Sequence, residues 1–96
     1  MRVNICGIPH EVDFVDDTFA GQDSNFGLIT YSECRIRINK NMPKDIQRRT
    51  IIHEMVHGML LHIGREDLTQ NETFVQTLAI AIDEGFEIKY LAKGGE

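Results

Sequence analysis

His53-Glu54-Met55-Val56-His57 reads H-E-x-x-H, within a stretch whose apolar spacing predicts a helix. Residues four apart lie on one face of a helix, about 40° from each other, so His53 and His57 can each direct an imidazole nitrogen at a single ion. Glu54 is rotated about 60° from His57 and about 100° from His53, and it therefore points beside such an ion. Two nitrogen ligands with a carboxylate base beside them suit metal-assisted hydrolysis.

An accidental match is the alternative interpretation of this pattern, with both histidines as ordinary, partly buried, hydrogen-bonded helix residues. Three features of the sequence argue against it. The pattern lies on a strongly apolar helix, a suitable third ligand follows it, and the elements ahead of it come in the order that a small metallopeptidase would use.

The composition predicts one globular domain over residues 1–96, with 42% hydrophobic residues, 26% charged residues and a formal net charge of −5. Arg48-Arg49 is too short to be a basic stripe and is interpreted as a solvated helix turn, so we expect no nucleic-acid partner. No segment resembles a signal peptide or reaches the length of a membrane span. We therefore expect a cytoplasmic protein with no membrane partner.

Two cysteines, Cys6 and Cys34, are too few for a disulfide framework. They also lack the C-x-x-C spacing of a zinc site, and we expect them to be small buried or half-buried thiols within strands. His10 is expected to be a turn residue.

Alternating apolar and polar residues predict β-structure over residues 1–39. Gly7-Ile8-Pro9 is a plausible turn, and residues 16–25 have the composition of a loop. Residues 27–31 form a candidate strand, and residues 34–39 alternate strictly, with isoleucines on one face and arginines on the other.

Two helices are predicted after this sheet. The first runs from Pro43, at or near its first position, to about Ile63, with Gly64 as its C-cap. Because it is apolar on most faces, it must be a central helix between the sheet and a second helix. The second helix is expected from about Thr69 to about residue 91, with Gly85 as a point where it bends or ends early. The predicted fold class is α+β, with a small antiparallel or mixed sheet packed on the central helix and a second C-terminal helix.

A third ligand is expected, because catalytic zinc usually takes three protein ligands and leaves one position for water. Glu72 follows His57 by fifteen residues, enough to end one helix and lay the next across it. It also falls at the edge of the apolar face of the second helix, which directs it towards the first. A capping box is the alternative, since residues 69–72 match S/T-x-x-E and Glu72 would then only cap its own helix.

Other candidate ligands are less suitable. His62 lies about 140° around the helix from the nearer motif histidine, and is expected to be a helix-end or packing residue. Glu66 and Asp67 lie in the connection between the helices. Asp83 shares the angular position of Glu72 but lies about 16 Å farther along the axis.

These pieces resemble the small single-domain gluzincins and the ImmA/IrrE-type zinc metallopeptidases that are common in phages and mobile elements. Members carry strands, a helix with H-E-x-x-H, and then a helix that supplies a glutamate. The matching segments are residues 51–57, 60–62 and 71–75, and the resemblance covers about residues 27–82.

The resemblance implies a minimal zincin-like fold in which His53, His57 and Glu72 bind Zn2+ and Glu54 is the general base. It also implies that the strand at 34–39 lines the substrate cleft. The sequence departs from the family at Gln76, where an acidic residue often orients a ligand histidine. An amide oxygen can accept the same hydrogen bond without the charge. Tyr31 and Tyr90 are the only tyrosines available to stabilise an oxyanion, and both are more often packing residues.

The expected function is that of a zinc-dependent peptidase, with a protein or peptide as its substrate. An extended peptide would add to an edge strand at 34–39, where Arg35 and Arg37 would favour acidic segments unless they form a solvated strand face. One alternative is a non-catalytic, zinc-stabilised module that binds a protein such as a repressor. Another is a peptidase subunit that needs a partner to complete its cleft.

Overall fold

Four strands and three helices form from residues 1–16 and 26–88, which are the residues that the computed structural model describes. The strands are β1 (Arg2–Ile5), β2 (Ile8–Val15), β3 (Gly27–Thr30) and β4 (Arg35–Asn39), and the helices are α1 (Lys44–His62), α2 (Glu66–Thr69) and α3 (Glu72–Gly85). A one-turn 3-10 helix, Tyr31–Glu33, joins β3 to β4. The predicted α+β class is confirmed. No helix among the described residues is long and apolar enough to cross a membrane.

The four strands form one mixed sheet in the order β1-β2-β4-β3. β1 and β2 are antiparallel, β2 and β4 are parallel, and β3 and β4 are antiparallel. β4 therefore lies in the interior of the sheet, and the prediction that residues 34–39 form an edge strand is wrong. The sequence pattern fixed which face each residue occupies, but pattern alone does not give the order of strands.

The two arginines of β4 lie on the sheet face opposite the buried isoleucines. Arg35 pairs with Asp13, and Arg37 donates to Thr30 Oγ1 at 3.1 Å and to Glu33 Oε1 at 2.9 Å. Because these ion pairs lie within the sheet's own outer face, they account for both arginines without a substrate.

Both cysteines lie in turns rather than in strands, which corrects the prediction. Cys6 and Gly7 form a two-residue hairpin loop, in which both φ angles are positive, at 51° and 83°. This is the type I′ geometry that matches the twist of paired strands. The predicted turn is therefore shifted by one residue, and Ile8 and Pro9 belong to β2. Cys34 ends the 3-10 helix with a φ of 50°.

The prediction that His10 is a turn residue is also wrong, because His10 lies in β2 and is only 1% exposed. Its Nδ1 lies 2.8 Å from the Ile8 carbonyl oxygen. Its ring stands edge-on to that of His62, with 6.0 Å between the ring centres.

α1 is buried on two opposite sides, as the sequence predicts. The cluster on its sheet side consists of Val3, Ile5, Val12, Ile29, Ile36, Ile38 and Ile51. The cluster on its other side joins it to α3 and consists of Ile52, Val56, Leu60, Val75 and Ala79. Gly58 permits close approach to the sheet, since a Cβ there would lie 3.0 Å from the Cδ1 atoms of both Ile5 and Ile29.

The ends of α1 are close to those predicted. Pro43 precedes the first helical residue, and Gly64, with a φ of 81°, follows the end of the helix and donates to the Leu61 carbonyl at 3.0 Å. Gln47 is buried in the first turns. Its side-chain amide donates to the carbonyls of Lys40 and Met42, at 3.0 and 2.9 Å, and fixes the connection from β4.

The predicted C-terminal helix differs from the prediction at both ends. A separate short helix, α2, occupies the connection, and α3 begins at Glu72 and ends at Gly85, followed by an extended Phe86. Gly85 thus ends the helix early. Tyr90 and the predicted tail lie outside the described residues, as do residues 17–25 of the predicted loop.

Ion pairs hold the C-terminal end of α3 against the N-terminal end of α1. Asp83 accepts from Arg48 Nε and Arg49 Nε, both at 2.8 Å, and these hydrogen bonds lower the pKa of Asp83. Arg48 also pairs with Asp45 at 2.9 Å. The arginine pair is therefore not simply solvated, and it fixes α3 antiparallel to α1.

We predict that Ile36→Ala, which creates a cavity in the sheet-side cluster, lowers the free energy of unfolding by about 2–5 kcal/mol. Ile36 is 0% exposed. Ile46→Ala is the matched control, since Ile46 is 43% exposed, and its cost should stay below about 1 kcal/mol. Urea unfolding of both variants measures the difference, and equal losses would contradict this description of the core.

Candidate metal centre

His53, His57 and Glu72 converge where α1 meets the start of α3. Glu72 Oε2 lies 3.2 Å from His53 Nε2, and Glu72 Oε1 lies 2.9 Å from His57 Nε2. One ligand atom from each of the three residues lies within 4.8 Å of the others. The antiparallel packing of α3 on α1 produces this meeting, because it brings the first residue of α3 level with the middle of α1.

The other nitrogen of each imidazole is held by a neighbouring oxygen. His53 Nδ1 lies 2.7 Å from Gln76 Oε1, and His57 Nδ1 lies 2.9 Å from Thr69 Oγ1. Thr69 donates its own hydroxyl proton to the His57 carbonyl at 3.2 Å, so its oxygen is the acceptor from the ring. Both rings therefore carry their proton on Nδ1 and present the Nε2 lone pair to Glu72.

The group formed by His53, His57 and Glu72 has more hydrogen-bond acceptor atoms than protons to share among them. A neutral imidazole has one N–H, and in both rings Gln76 or Thr69 accepts it. The two Nε2 lone pairs then face a carboxylate with no proton between them. Burial lowers the pKa of His57, which opposes a second proton on that ring, although Glu72 acts in the opposite direction. A cation at the centre would satisfy all three groups.

The separation of the rings also fits a metal ion. The centres of the His53 and His57 rings are 4.9 Å apart. Two imidazoles bound to one ion at about 2.1 Å with a tetrahedral angle have ring centres about 5 Å apart. The donor types, two nitrogens and one carboxylate oxygen, are those of a catalytic zinc site.

Glu72 does not cap its own helix. The N-cap of α3 is Asn71, whose Oδ1 accepts from Phe74 N at 3.0 Å. This leaves Thr69 and Glu72, the two ends of the supposed capping box, for contact with the histidines. The role of Thr69 was missed because its sequence context is that of a cap, and only the short helix α2 places its hydroxyl against His57.

Glu54 is buried beside this group and is only 7% exposed. Burial raises the pKa of Glu54 to about 7; His53 opposes the shift, the charge of Glu72 adds to it, and a backbone hydrogen bond from Ile29 opposes it. A carboxyl group with a pKa near neutrality can accept a proton and return it at the same pH.

Tyr31 is the second side chain whose proximity to the site only the structure establishes. Burial raises the pKa of Tyr31, the nearby Thr69 hydroxyl lowers it, and the charges of Glu54 and Glu72 raise it further. The ring is 38% exposed, so Tyr31 reaches both the ligand shell and solvent.

The remaining sequence candidates do not join the group in the described part of the chain. His62 lies at the end of α1 beside His10. Asp67 pairs with Arg65 at 2.8 Å, which lowers the pKa of Asp67. Asp83 is held by the arginines at the far end of α3.

Comparisons of this chain with protein-family models, with curated proteins and with solved structures find no match. The assignment of the site therefore depends on its geometry and chemistry.

In metal-free protein, we predict that Glu54 makes stability depend on pH. The pKa of Glu54 in the folded protein, about 7, lies above its ordinary value of 4.5, so folding favours the protonated form. The stability that this contributes is fully present below about pH 4.5. That stability is lost as pH rises through about 7, by up to about 3 kcal/mol. Glu54→Gln removes this loss, so chelator-treated variant and wild type should differ more at pH 8 than at pH 5 in urea unfolding. A difference that does not change with pH would contradict the buried carboxylate.

We predict that Gln76→Leu weakens zinc binding about 10- to 100-fold, because His53 loses the acceptor that fixes its ring. Gln76→Glu should bind zinc at least as tightly as wild type, since it restores a charged acceptor. Gln70→Leu, at an exposed neighbouring position, is the control and should leave the zinc Kd unchanged in a competition titration. Equal affinities for Gln76→Leu and Gln70→Leu would show that Gln76 does not orient the ring.

Proposed function

We propose that this chain is a zinc-dependent peptidase of zincin-like design that hydrolyses peptide bonds in a protein substrate. The observation that carries the proposal is the convergence of His53, His57 and Glu72, with both Nε2 atoms directed at the same carboxylate. The resemblance of residues 27–82 to the small gluzincins and ImmA/IrrE-type proteins agrees with it. A cytoplasmic site of action belongs to the same proposal.

Two imidazoles and one carboxylate would hold Zn2+, which when bound polarises a peptide carbonyl and lowers the pKa of water. The chain supplies fixed ligands for it. Gln76 and Thr69 hold the two rings in the required tautomer, and the ion pairs at Asp83 keep α3 in place against α1.

Glu54 would act as the general base. Its carboxylate takes a proton from the attacking water and later delivers it to the nitrogen of the leaving amine. The burial that raises its pKa to about 7 supports both steps near neutral pH. Tyr31, which lies near Thr69 and is partly exposed, could meet a substrate near these groups.

Substrate would bind along β3 rather than along β4. β3 is an edge of the sheet and packs against α1, whereas β4 has a neighbour on each side. An extended peptide can add to such an edge through main-chain hydrogen bonds. An open groove lined by His53, Glu72, Thr73, Gln76 and Thr77 leaves the site accessible from the α3 side. The β4 arginines lie on the other face of the sheet, paired with Asp13, Thr30 and Glu33, and they give this binding mode no preference for acidic substrates.

A zinc-stabilised binding module remains the rival from another class. A purely structural zinc site is usually closed by four protein ligands. Within residues 1–16 and 26–88, only three residues form a group of possible metal ligands. This supports an open position for solvent and a role for the buried base.

The direct test of the proposal is Glu54→Gln. Glu54 would not bind the ion, so the variant should keep one zinc per chain and lose at least about 100-fold in peptide hydrolysis. Metal content by mass spectrometry and cleavage of an unfolded protein substrate measure the two properties. A wild-type protein that binds no zinc would end the proposal, and zinc binding without cleavage would favour the module or the partner-dependent subunit.

Glu72→Ala tests the third ligand separately. It should weaken zinc binding by more than about 100-fold, because a two-histidine site keeps only part of the donor set. Glu66→Ala, at the start of α2, is the matched control and should bind zinc as wild type does. Equal zinc affinity in both variants would remove Glu72 from the site.

A further inference from the structure

His10 carries an unsatisfied nitrogen in the interior of the protein. Its Nδ1 lies 2.8 Å from the Ile8 carbonyl oxygen, and because a carbonyl only accepts, Nδ1 carries the proton of the neutral ring. Nε2 is then an acceptor, yet it is buried and has no hydrogen-bond partner among the described residues. A buried acceptor without a partner destabilises a fold, and an ion is one of the groups that can satisfy it.

The surroundings of His10 in the sheet are apolar. Val12, two residues further along β2, faces the same way, and Val3 lies opposite His10 on β1. Val3 and Val12 are 0% and 3% exposed. An aliphatic side chain would suit these neighbours, so packing alone does not account for the imidazole.

The ring beside His10 belongs to His62, the last residue of α1. The two ring centres are 6.0 Å apart, and the ring planes are perpendicular. His62 is exposed, so this pair of imidazoles extends from the interior of the protein to its surface. The C-terminal end of α1 is the negative end of the helix dipole, which favours a cation at this place.

The separation of the two rings suits an ion held between them. At a metal–nitrogen distance of about 2.1 Å, two imidazoles on opposite sides of one ion have ring centres about 6.5 Å apart, and two at a tetrahedral angle about 5 Å apart. The 6.0 Å between His10 and His62 lies nearer to the first value, whereas the 4.9 Å between His53 and His57 corresponds to the second. Copper(II) and nickel(II) favour the tetragonal arrangement, in which ligands lie opposite each other.

We propose that His10 Nε2 and a ring nitrogen of His62 form a second metal site, which takes a divalent ion of the copper and nickel class. His62 lies about 140° around α1 from His57, so this site is separate from the candidate metal centre and does not depend on the proposed function. With two protein ligands, the ion keeps solvent in its other positions, which the exposure of His62 permits. The bound ion satisfies the buried Nε2, links β2 to the end of α1 and thereby stabilises the fold.

Nickel(II) titrated into the full chain, followed by NMR of the imidazole groups, tests the second metal site residue by residue. One equivalent of zinc is added first, to fill the centre at Glu72. Nickel(II) is paramagnetic, and the ring signals of His10 and His62 should broaden at a lower nickel concentration than those of His53 and His57. Before nickel is added, the nitrogen shifts of His10 should show the proton on Nδ1.

His62→Gln removes one of the two ligands at an exposed position, where the substitution leaves the core intact. It should weaken nickel binding at His10 at least about tenfold. Ile63→Ala, at the neighbouring position, which is 59% exposed, is the matched control and should bind nickel as wild type does. Nickel should also raise the urea midpoint of wild type and Ile63→Ala more than that of His62→Gln.

Three results would each overturn the second metal site. They are equal nickel affinity at His10 in the two variants, broadening confined to His53 and His57, and a His10 ring with its proton on Nε2. Peptide cleavage does not enter these measurements, and the signals of His53 and His57 report zinc binding separately. Failure of the second metal site and failure of the peptidase proposal are therefore distinguishable.

Discussion

The burial of α1 between the sheet and α3 is the constraint on which the candidate site depends. Isoleucines of three strands pack on one side of the helix, and Val75 and Ala79 of α3 pack on the other. The helix therefore has little freedom to rotate or slide. His53 and His57 lie where α1 contacts α3, and Glu72 and Gln76 of α3 meet them there.

Fixed packing holds an electrostatically unfavourable arrangement together at the candidate site. Two lone pairs and a carboxylate face one another, and Gln76 and Thr69 already accept the Nδ1 protons. Close by, Glu54 is buried and its pKa is raised to about 7. Such arrangements disfavour the metal-free fold and are typical of functional sites, where a bound ion or a reaction makes use of them. The Arg48, Arg49 and Asp83 ion pairs at the other end of α3 help to hold it in place.

Much of this arrangement could be predicted from sequence, because it follows from local periodicity and end signals. The apolar pattern of α1, the proline ahead of it and Gly64 after it predicted the central helix within one or two residues, and helical spacing placed His53 and His57 on one face. Glu72 was predicted from its position on the next helix, and Gln76 from the resemblance to the small gluzincins. All four side chains meet as these patterns suggest.

What could not be predicted depends on contacts distant in sequence. The order of the strands follows from the parallel pairing of β2 with β4, which alternation does not reveal, so β4 was mistaken for an edge. Cys6 and Cys34 continue the alternating pattern but adopt positive φ angles imposed by the turns. Thr69 resembles a cap in sequence, and it meets His57 only because the unpredicted helix α2 carries it there.

His53, His57 and Glu72 are proposed to hold one metal ion with a position left for solvent. X-ray absorption at the zinc edge of the loaded protein tests it most directly. We expect two imidazoles and two oxygen ligands, one from Glu72 and one from water, at about 2.0–2.2 Å. A spectrum with sulfur ligands, or with oxygen ligands alone, would contradict the account.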